Sequence, residues 1–166
     1  LTVVILDRPR HAGIIQEVRD AGARIKLITD GDVSPAINVG IEGTGIHMMM
    51  GIGGAPEGVL AAAALKCLGG DMQGKLWPEN DTDAIRAQKM GITDTNKVLT
   101  INDLVSGKDV IFAATAITQG DLLNPIRYFG GGVRSHSLVM RYSSGTVRFI
   151  DAIHTYDRTP LFIKRA

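Results

Sequence analysis

The segment TVVILDRPRHAGIIQEVRDAGARIKLIT, residues 2–29, decides the fold. It opens with an apolar and largely β-branched run, Thr2–Leu6, which is typical of a strand buried on both faces. From His11 onward the apolar residues recur at the spacing of one helix face, and Gly22 supplies a helix stop. A second strand-like run, Arg24–Thr29, follows at once. A strand, a helix and a strand in so short a span predict a parallel β-α-β unit.

The same alternation of strand and helix continues beyond this unit. Asp32 is placed to cap a short helix over Ser34–Val39, and Ile46–Gly51 is predicted to be a third strand. Pro56 suits the first turn of an Ala-rich helix over Glu57–Leu68. These repeats predict a mostly parallel sheet that is covered by helices.

The C-terminal part of the chain has a different pattern. Apolar and polar residues alternate over Val133–Tyr142 and Thr146–His154, on either side of the turn residues Ser143-Ser144-Gly145, which predicts an antiparallel hairpin. The remaining predicted elements are strands over Asp71–Trp77 and Asp109–Thr118 and an exposed helix over Asp81–Met90, capped by Asp81 or Thr82. The predicted fold class is therefore α/β, with a mixed sheet flanked by helices and a C-terminal antiparallel hairpin.

Composition excludes several classes of protein. The chain carries 18 Lys and Arg against 17 Asp and Glu, and the net charge of +1 provides no basic surface for nucleic acid. The single cysteine, Cys67, cannot form an internal disulfide, which fits a cytoplasmic protein. The longest apolar stretch, Gly58–Leu65, is far shorter than the roughly 20 residues of a membrane helix. We therefore expect neither a nucleic-acid partner nor a membrane partner.

Polar residues follow each of the first three predicted strands. Ligands of open α/β sheets bind outside the carboxyl ends of the strands, so these three junctions are expected to face one site. At the first junction Arg8 and Arg10 flank a proline just before a helix begins. Guanidinium groups and helix amides both bind phosphate oxygens. A surface salt-bridge or capping cluster explains this junction equally well when it is taken alone.

The second junction is the turn Asp30-Gly31-Asp32. Paired carboxylates on a glycine turn can bind sugar hydroxyls or a hard cation. For this junction alone, ordinary turn chemistry together with a helix cap is the simpler explanation.

The third junction is GIGGAPEG, Gly51–Gly58. Its glycines let the backbone approach an anion, but it lacks the Lys-Ser or Lys-Thr of a Walker motif and the spacing of the dinucleotide-binding motif. Glu57 lies in the first turn of the following helix, where a carboxylate could ligate a divalent metal beside a phosphate. The alternative for Glu57 is simple stabilisation of the helix dipole. The density of glycine favours the metal interpretation.

Three other features are weaker candidates for function. His47 lies in a predicted strand and is expected to be a satisfied core or rim histidine. Met48–Met50 are expected to fill the core rather than to contact a cofactor. Cys67, inside an Ala-rich helix, is expected to be an inert buried thiol.

The three junctions together carry a resemblance to a known family. The motifs are ILDRPRH at Ile5–His11, ARIKLITDGDV at Ala23–Val33 and GIGGAPEGVLAAAALKCLGGDMQGKL at Gly51–Leu76. In this order they resemble the class II fructose-1,6-bisphosphatases, including the bifunctional forms that also cleave sedoheptulose-1,7-bisphosphate. The resemblance continues through Val110–Leu123 and His136–His154 and so covers nearly the whole chain.

The resemblance implies a fold, an activity and a set of site residues. It implies a layered, sugar-phosphatase-like α/β fold and a cytoplasmic homo-oligomer. It also implies hydrolysis of the 1-phosphate of fructose-1,6-bisphosphate to fructose 6-phosphate, with Mg or Mn as the divalent metal, in gluconeogenesis or Calvin-type carbon metabolism. Glu57 resembles the family's metal ligand. The residues that resemble substrate-binding positions are Arg8, Arg10, Asp30, Gly31, Asp32 and Gly54.

One family motif is absent from this sequence. The motif Asp-Pro-Leu-Glu-Gly-Thr, which carries metal-binding carboxylates and a threonine that orients the attacking water, does not occur. A buried strand already begins at Thr2. We therefore expect residues 1–166 to be the C-terminal α/β portion of such an enzyme, with the N-terminal metal-binding portion and the main catalytic groups outside this chain. A non-catalytic phosphosugar-binding or regulatory module is the alternative, but it gives Glu57 no metal to hold.

Overall fold

The first sheet is parallel and consists of three strands. The computed structural model describes residues 1–158, so the last eight residues of the expected portion lie outside the described part. Strand β1 (Thr2–Leu6) lies at the centre, between β2 (Arg24–Ile28) and β3 (Met48–Met49). Thr2 pairs with Arg24 and Val3 with Met48. The parallel β-α-β arrangement predicted from residues 2–29 is confirmed.

Two helices connect these strands. Helix α1 (Ala12–Asp20) crosses from β1 to β2, and α2 (Val33–Val39) crosses from β2 to β3. The amphipathic pattern of α1 is confirmed, because Ile15 and Val18 are buried whereas Glu17 is exposed. Both crossovers therefore bring the chain back so that the loops after β1 and β2 emerge at the same edge of the sheet.

Helix α3 (Ala55–Leu68) packs against α2. Its N-cap is Gly54, Pro56 lies in its first turn, and Gly69 ends it with a left-handed φ of 74°. Small side chains let it pack closely: Ala62 and Ala64 are fully buried. A β-carbon at Gly40, just after α2, would lie 2.8 Å from Cδ1 of Leu68. This close approach fixes α2 against α3.

Two antiparallel sheets complete the described fold. The smaller one pairs β4 (Gln73–Lys75) with β5 (Val98–Thr100), and the helices α4 (Asp81–Lys89) and α5 (Ile101–Leu104) flank β5 in sequence. The larger one contains β6 (Ile111–Thr115), β7 (Arg127–Phe129), β8 (Gly132–Arg141) and β9 (Thr146–Thr155). β8 pairs with the other three strands, and β8 and β9 form the predicted C-terminal hairpin, from Gly132↔Thr155 to Arg141↔Thr146.

The buried residues form two hydrophobic clusters. The first is local in sequence and joins Val3 and Ile5 of β1 to Ile15 and Val18 of α1. The second draws on distant parts of the chain, from Ile37 of α2 to Met140 of β8. Helix α3 contributes Ala64 and Cys67 to the second cluster. Burial raises the pKa of the Cys67 thiol, which fits the expected inert thiol. Within residues 1–158, no helix is both long and apolar enough to cross a membrane.

Several predictions of local structure are wrong. Met48 and Met50 are 44% and 38% exposed, so they do not fill the core. By contrast, the expectation of a satisfied core or rim histidine is confirmed for the rim: His47 is exposed, and its Nδ1 accepts a hydrogen bond from the Thr2 amide at 3.1 Å. Regular strand geometry is limited to two residues of the predicted third strand, although the Met50 amide still donates to the Val4 carbonyl.

The predicted helix caps also need correction. The α4 cap is Asn80, whose side chain accepts from the Asp83 amide at 3.0 Å, rather than Asp81 or Thr82. Asp32 does occupy the N-cap position of α2, but its side chain makes no capping hydrogen bond. Its carboxylate is therefore available for another contact.

Candidate functional site

A cleft of about 470 Å³ lies where the loops after β1 and β2 meet the loop before α3. The seven residues predicted to bind substrate or metal all line it: Arg8, Arg10, Asp30, Gly31, Asp32, Gly54 and Glu57. The remaining lining residues are Leu6, Val33, Ser34 and Gly53. The structure thus brings the three predicted junctions together at one edge of the parallel sheet.

Arg8 is anchored by backbone carbonyl groups. Its Nη1 donates to the carbonyl oxygen of Asp7 at 3.1 Å, and its Nη2 donates to that of Thr29 at 2.6 Å. The side chain therefore ties the end of β1 to the end of β2. Because both partners are neutral, the positive charge of the guanidinium is oriented but not neutralised.

Arg10 is anchored at a single point. Its Nε donates to the carbonyl oxygen of Ile52 at 3.0 Å. Its terminal nitrogens make no hydrogen bond to any residue between 1 and 158. The side chain is exposed in the cleft, so the outer edge of its guanidinium is available for a ligand. A guanidinium presented in this way can make the paired hydrogen bonds that phosphate oxygens accept.

The turn after β2 supplies two carboxylates. The Gly31 amide donates to Oδ1 of Asp30 at 2.9 Å, and Gly31 has a left-handed φ of 72°, which glycine adopts without strain. Asp32 instead faces the glycine loop, because a β-carbon at Gly53 would lie 2.5 Å from its Oδ2. The absence of a side chain at Gly53 makes room for this carboxylate.

Glu57 has a comparable relationship to the same loop. It lies in the first turn of α3, and its carboxylate occupies the space that a β-carbon at Gly54 would fill. Gly54 has φ −66° and ψ 142°, values open to any residue, so the contact and not the backbone conformation makes glycine necessary here. The partial positive charge at the start of α3 also stabilises a carboxylate at this position.

The charged groups of the cleft are unpaired within residues 1–158. None of its two arginines and three carboxylates takes part in an ion pair there, although this part of the chain does form such pairs elsewhere. Arg141, for example, contacts Asp109 at 2.7 Å. Unpaired guanidiniums attract phosphate, and unpaired carboxylates accept hydrogen bonds from hydroxyl groups or bind cations.

Within residues 1–158, the side chains of the cleft fit part of a metal site. Among residues 1–158, no group of three or more His, Cys, Asp or Glu side chains is arranged to hold a metal ion. Glu57 and Asp32 are carboxylates, which Mg and Mn prefer, and both are kept free of side-chain obstruction by glycines. Together they would supply part of the ligand set of such an ion.

Sequence reasoning missed the role of His11. The side chain is fully buried beneath the cleft, with Nδ1 2.8 Å from the Leu6 carbonyl oxygen. Its Nε2 lies 2.9 Å from the amide nitrogen of Ile52. The available signal was its position at the start of an amphipathic helix that packs against the sheet.

The chain matches a known protein family over most of its length. The profile of a family described as bacterial fructose-1,6-bisphosphatase, glpX-encoded, matches residues 1–154. A relative from Synechococcus sp., named D-fructose 1,6-bisphosphatase class 2/sedoheptulose 1,7-bisphosphatase, is 50% identical over 169 residues, covering 95% of this chain and 49% of the relative. A relative of the same name from Microcystis aeruginosa is 49% identical over 176 residues, covering 99% of this chain and 51% of the relative.

The extent of these matches has two consequences. The chain spans about half the length of the curated relatives that it matches, and the matching half is their C-terminal part. The family profile covers all but the last 12 residues, from 155 to 166, so it includes the whole cleft. The resemblance seen in the three sequence junctions is confirmed: this chain belongs to the glpX-encoded, class 2 fructose-1,6-bisphosphatase family.

Proposed function

We propose that this chain provides the substrate-binding part of a metal-dependent bisphosphatase that hydrolyses the 1-phosphate of fructose-1,6-bisphosphate to give fructose 6-phosphate. The observation that carries the proposal is one cleft lined by Arg8 and Arg10, which form no ion pair within residues 1–158, and by the two carboxylates that lie against its glycine loop, those of Asp32 and Glu57. Such a cleft suits a ligand with phosphates and hydroxyl groups. The names of the relatives support a bisphosphate as that ligand.

The arginines are assigned to the phosphate that is not cleaved. Arg8 is oriented by two carbonyl groups and Arg10 by one, so both guanidiniums are held before a ligand arrives. A preorganised group loses little conformational freedom on binding, which increases affinity. We assign Asp30, Gly31 and Asp32 to the sugar, because carboxylates and a turn backbone can accept and donate hydrogen bonds to hydroxyl groups.

Glu57 is assigned to the phosphate that is cleaved. With ligands from outside this chain it would hold Mg or Mn, and the Asp32 carboxylate faces the same glycine loop. Such an ion, when bound, neutralises phosphate charge and activates water for attack. This chain contributes the carboxylate at a helix start, and Gly54 leaves that carboxylate the room it needs. The remaining ligands and the group that orients water are proposed to come from the N-terminal portion of the same enzyme.

The test uses the full-length protein and the two portions separately. Full-length protein should release phosphate from fructose-1,6-bisphosphate with Mg or Mn and should stop when EDTA is added. Residues 1–166 alone should release none, and turnover should return when the separately expressed N-terminal portion is added. Binding of the bisphosphate by the full-length protein without any hydrolysis would instead identify a non-catalytic phosphosugar-binding module.

The same preparation tests the finer parts of the proposal. Parallel assays with sedoheptulose-1,7-bisphosphate measure whether the second substrate in the names of the relatives is shared. Light scattering measures whether the enzyme is a homo-oligomer. A cytoplasmic role in gluconeogenesis or Calvin-type carbon metabolism is the setting that we propose for this activity, and growth on gluconeogenic carbon after disruption of the enzyme tests it.

A further inference from the structure

The His11 ring contacts two segments that form the cleft, the end of β1 and the start of the glycine loop. It follows Arg10 in the turn between β1 and α1, and its side chain is fully buried. A β-carbon at Gly51 would lie 3.4 Å from Cε1 and from Nε2 of its ring, so the start of the glycine loop packs directly against the imidazole. The ring is therefore enclosed between the end of β1 and this loop.

The hydrogen bonds of the ring define its tautomer. Nδ1 lies 2.8 Å from the Leu6 carbonyl oxygen, which can only accept, so Nδ1 carries a proton and donates. Nε2 lies 2.9 Å from the Ile52 amide nitrogen, which can only donate, so Nε2 must be unprotonated to accept. A neutral imidazole with its proton on Nδ1 satisfies both bonds. The 3.2 Å approach of Nε2 to the Ile52 carbonyl oxygen is then a contact and not a hydrogen bond.

The backbone of Ile52 links the His11 ring to Arg10, which lines the cleft. Its amide donates to His11, and its carbonyl oxygen accepts from Nε of Arg10 at 3.0 Å. The next two residues, Gly53 and Gly54, are those that make room for the carboxylates of Asp32 and Glu57. The orientation of one residue therefore affects both the phosphate-binding guanidinium and the carboxylate-lined turn.

We propose that His11 is a positioning residue, which as a neutral, Nδ1-protonated imidazole holds Ile52 and thereby aims Arg10 at the substrate phosphate. The proposal rests on the function proposed above for the same cleft. His11 touches neither the sugar nor the phosphates, since it is fully buried and acts through the backbone of Ile52. Its loss is expected to weaken substrate binding more than the chemical step.

Two substitutions in the full-length protein separate this role from simple filling of space. In His11→Gln the side-chain oxygen can reach the Nε2 position and accept from Ile52, whereas in His11→Asn the shorter amide can replace only the donor at Nδ1. His11→Asn should raise the KM for fructose-1,6-bisphosphate on the order of tenfold, the effect of one lost buried hydrogen bond, with a smaller change in kcat. His11→Gln should stay close to the wild type. Equal KM values for wild type and both variants would overturn the proposal.

A second measurement does not depend on activity. Amide hydrogen exchange at Ile52 should be faster in His11→Asn than in His11→Gln and in the wild type, and nitrogen NMR should find the His11 proton on Nδ1. A protein without any bisphosphatase activity would refute the proposed function, while these two readouts would still test the positioning role. Unchanged exchange at Ile52 in His11→Asn, or a proton on Nε2, would overturn the positioning role itself.

Discussion

The Glu57 carboxylate lies over Gly54, in the volume that a β-carbon at residue 54 would occupy. The backbone of Gly54, with φ −66° and ψ 142°, would accept alanine without strain. A methyl group there must therefore push the carboxylate away from the glycine loop. This relationship makes the position of Glu57 testable without changing Glu57.

We expect Gly54→Ala to reduce turnover by at least tenfold and to raise the metal concentration needed for half-maximal activity, because the displaced carboxylate no longer meets the metal. Phosphate release by the full-length enzyme, measured against Mn concentration, checks this. Gly13→Ala is the matched control: a β-carbon at this helical position meets no atom within 4 Å. It should leave activity unchanged and stabilise the helix by up to about 1 kcal/mol. Normal metal dependence in Gly54→Ala would contradict the assigned position.

Glu57→Gln removes the charge of the proposed metal ligand and keeps its shape. Turnover should fall severely while the melting temperature changes little, because the carboxylate is exposed and forms no ion pair within residues 1–158. Circular dichroism during heating and a phosphate-release assay measure the two effects. An unchanged metal dependence together with near-normal activity would show that Glu57 only stabilises the start of α3.

Arg10→Ala should weaken binding of the bisphosphate on the order of ten- to a hundredfold, since a charge-assisted hydrogen bond contributes about 1.5–3 kcal/mol. Arg10→Lys should restore only part of it, because lysine has neither the paired donors nor the Nε–H that contacts the Ile52 carbonyl oxygen. Titration calorimetry with fructose-1,6-bisphosphate gives these affinities.

Arg8→Ala should have a further effect that Arg10→Ala lacks. It removes both hydrogen bonds that tie Asp7 to Thr29, so the melting temperature should fall as well as the affinity. If both alanine variants bind the bisphosphate normally, the two arginines serve the fold alone.

The ion pair between Asp109 and Arg141, at the end of β8, should make the stability of the protein depend on pH. Hydrogen bonds from Arg141, and then from Ser143, lower the pKa of the Asp109 carboxyl to about 2. A lowered pKa means that the stabilisation is complete above the ordinary carboxyl pKa of about 3.9 and is lost as the pH falls through the folded value.

Asp109→Asn should therefore melt at a lower temperature than the wild type at pH 6, and the difference in melting temperature should shrink as the pH approaches 2. Since Asp109 is exposed, added salt should reduce the difference too. A constant gap in melting temperature across this range would show that the pair contributes no pH-dependent stability.

Much of the fold could be predicted because its signals are local. The run Thr2–Leu6 is apolar on both faces, so it had to be a central strand, and the alternation around Gly145 required a hairpin. Whether a strand lies at the centre or at the edge of a sheet depends on the tertiary structure. For this reason the burial predicted for the methionines was wrong. Met48 belongs to an edge strand whose outer side meets no neighbour within residues 1–158, and Met50 directly follows that strand, so their apolar character does not imply burial.

The sequence was enough to predict which residues line the cleft, but not which atoms their side chains contact. Parallel strands bring their carboxyl ends to one edge, and this rule alone places Arg8, Asp30 and Glu57 near each other. The Asp32 side chain could not be assigned from sequence, since its choice between capping α2 and facing Gly53 depends on where the glycine loop lies. His11 was missed for the same reason: its partner, Ile52, is 41 residues away.

The division of the core into two clusters gives the cleft a role in how the protein unfolds. Arg8 and Arg10 follow a strand of the first cluster, whereas Glu57 lies in the first turn of the helix that contributes Ala64 to the second. A bisphosphate bound between them would join two regions that otherwise could open separately. At a concentration one hundred times its dissociation constant, such a ligand adds about 2.7 kcal/mol to global stability. Substrate should therefore sharpen the unfolding transition as well as raise its midpoint, so that the cooperativity of unfolding reports on occupancy of the cleft.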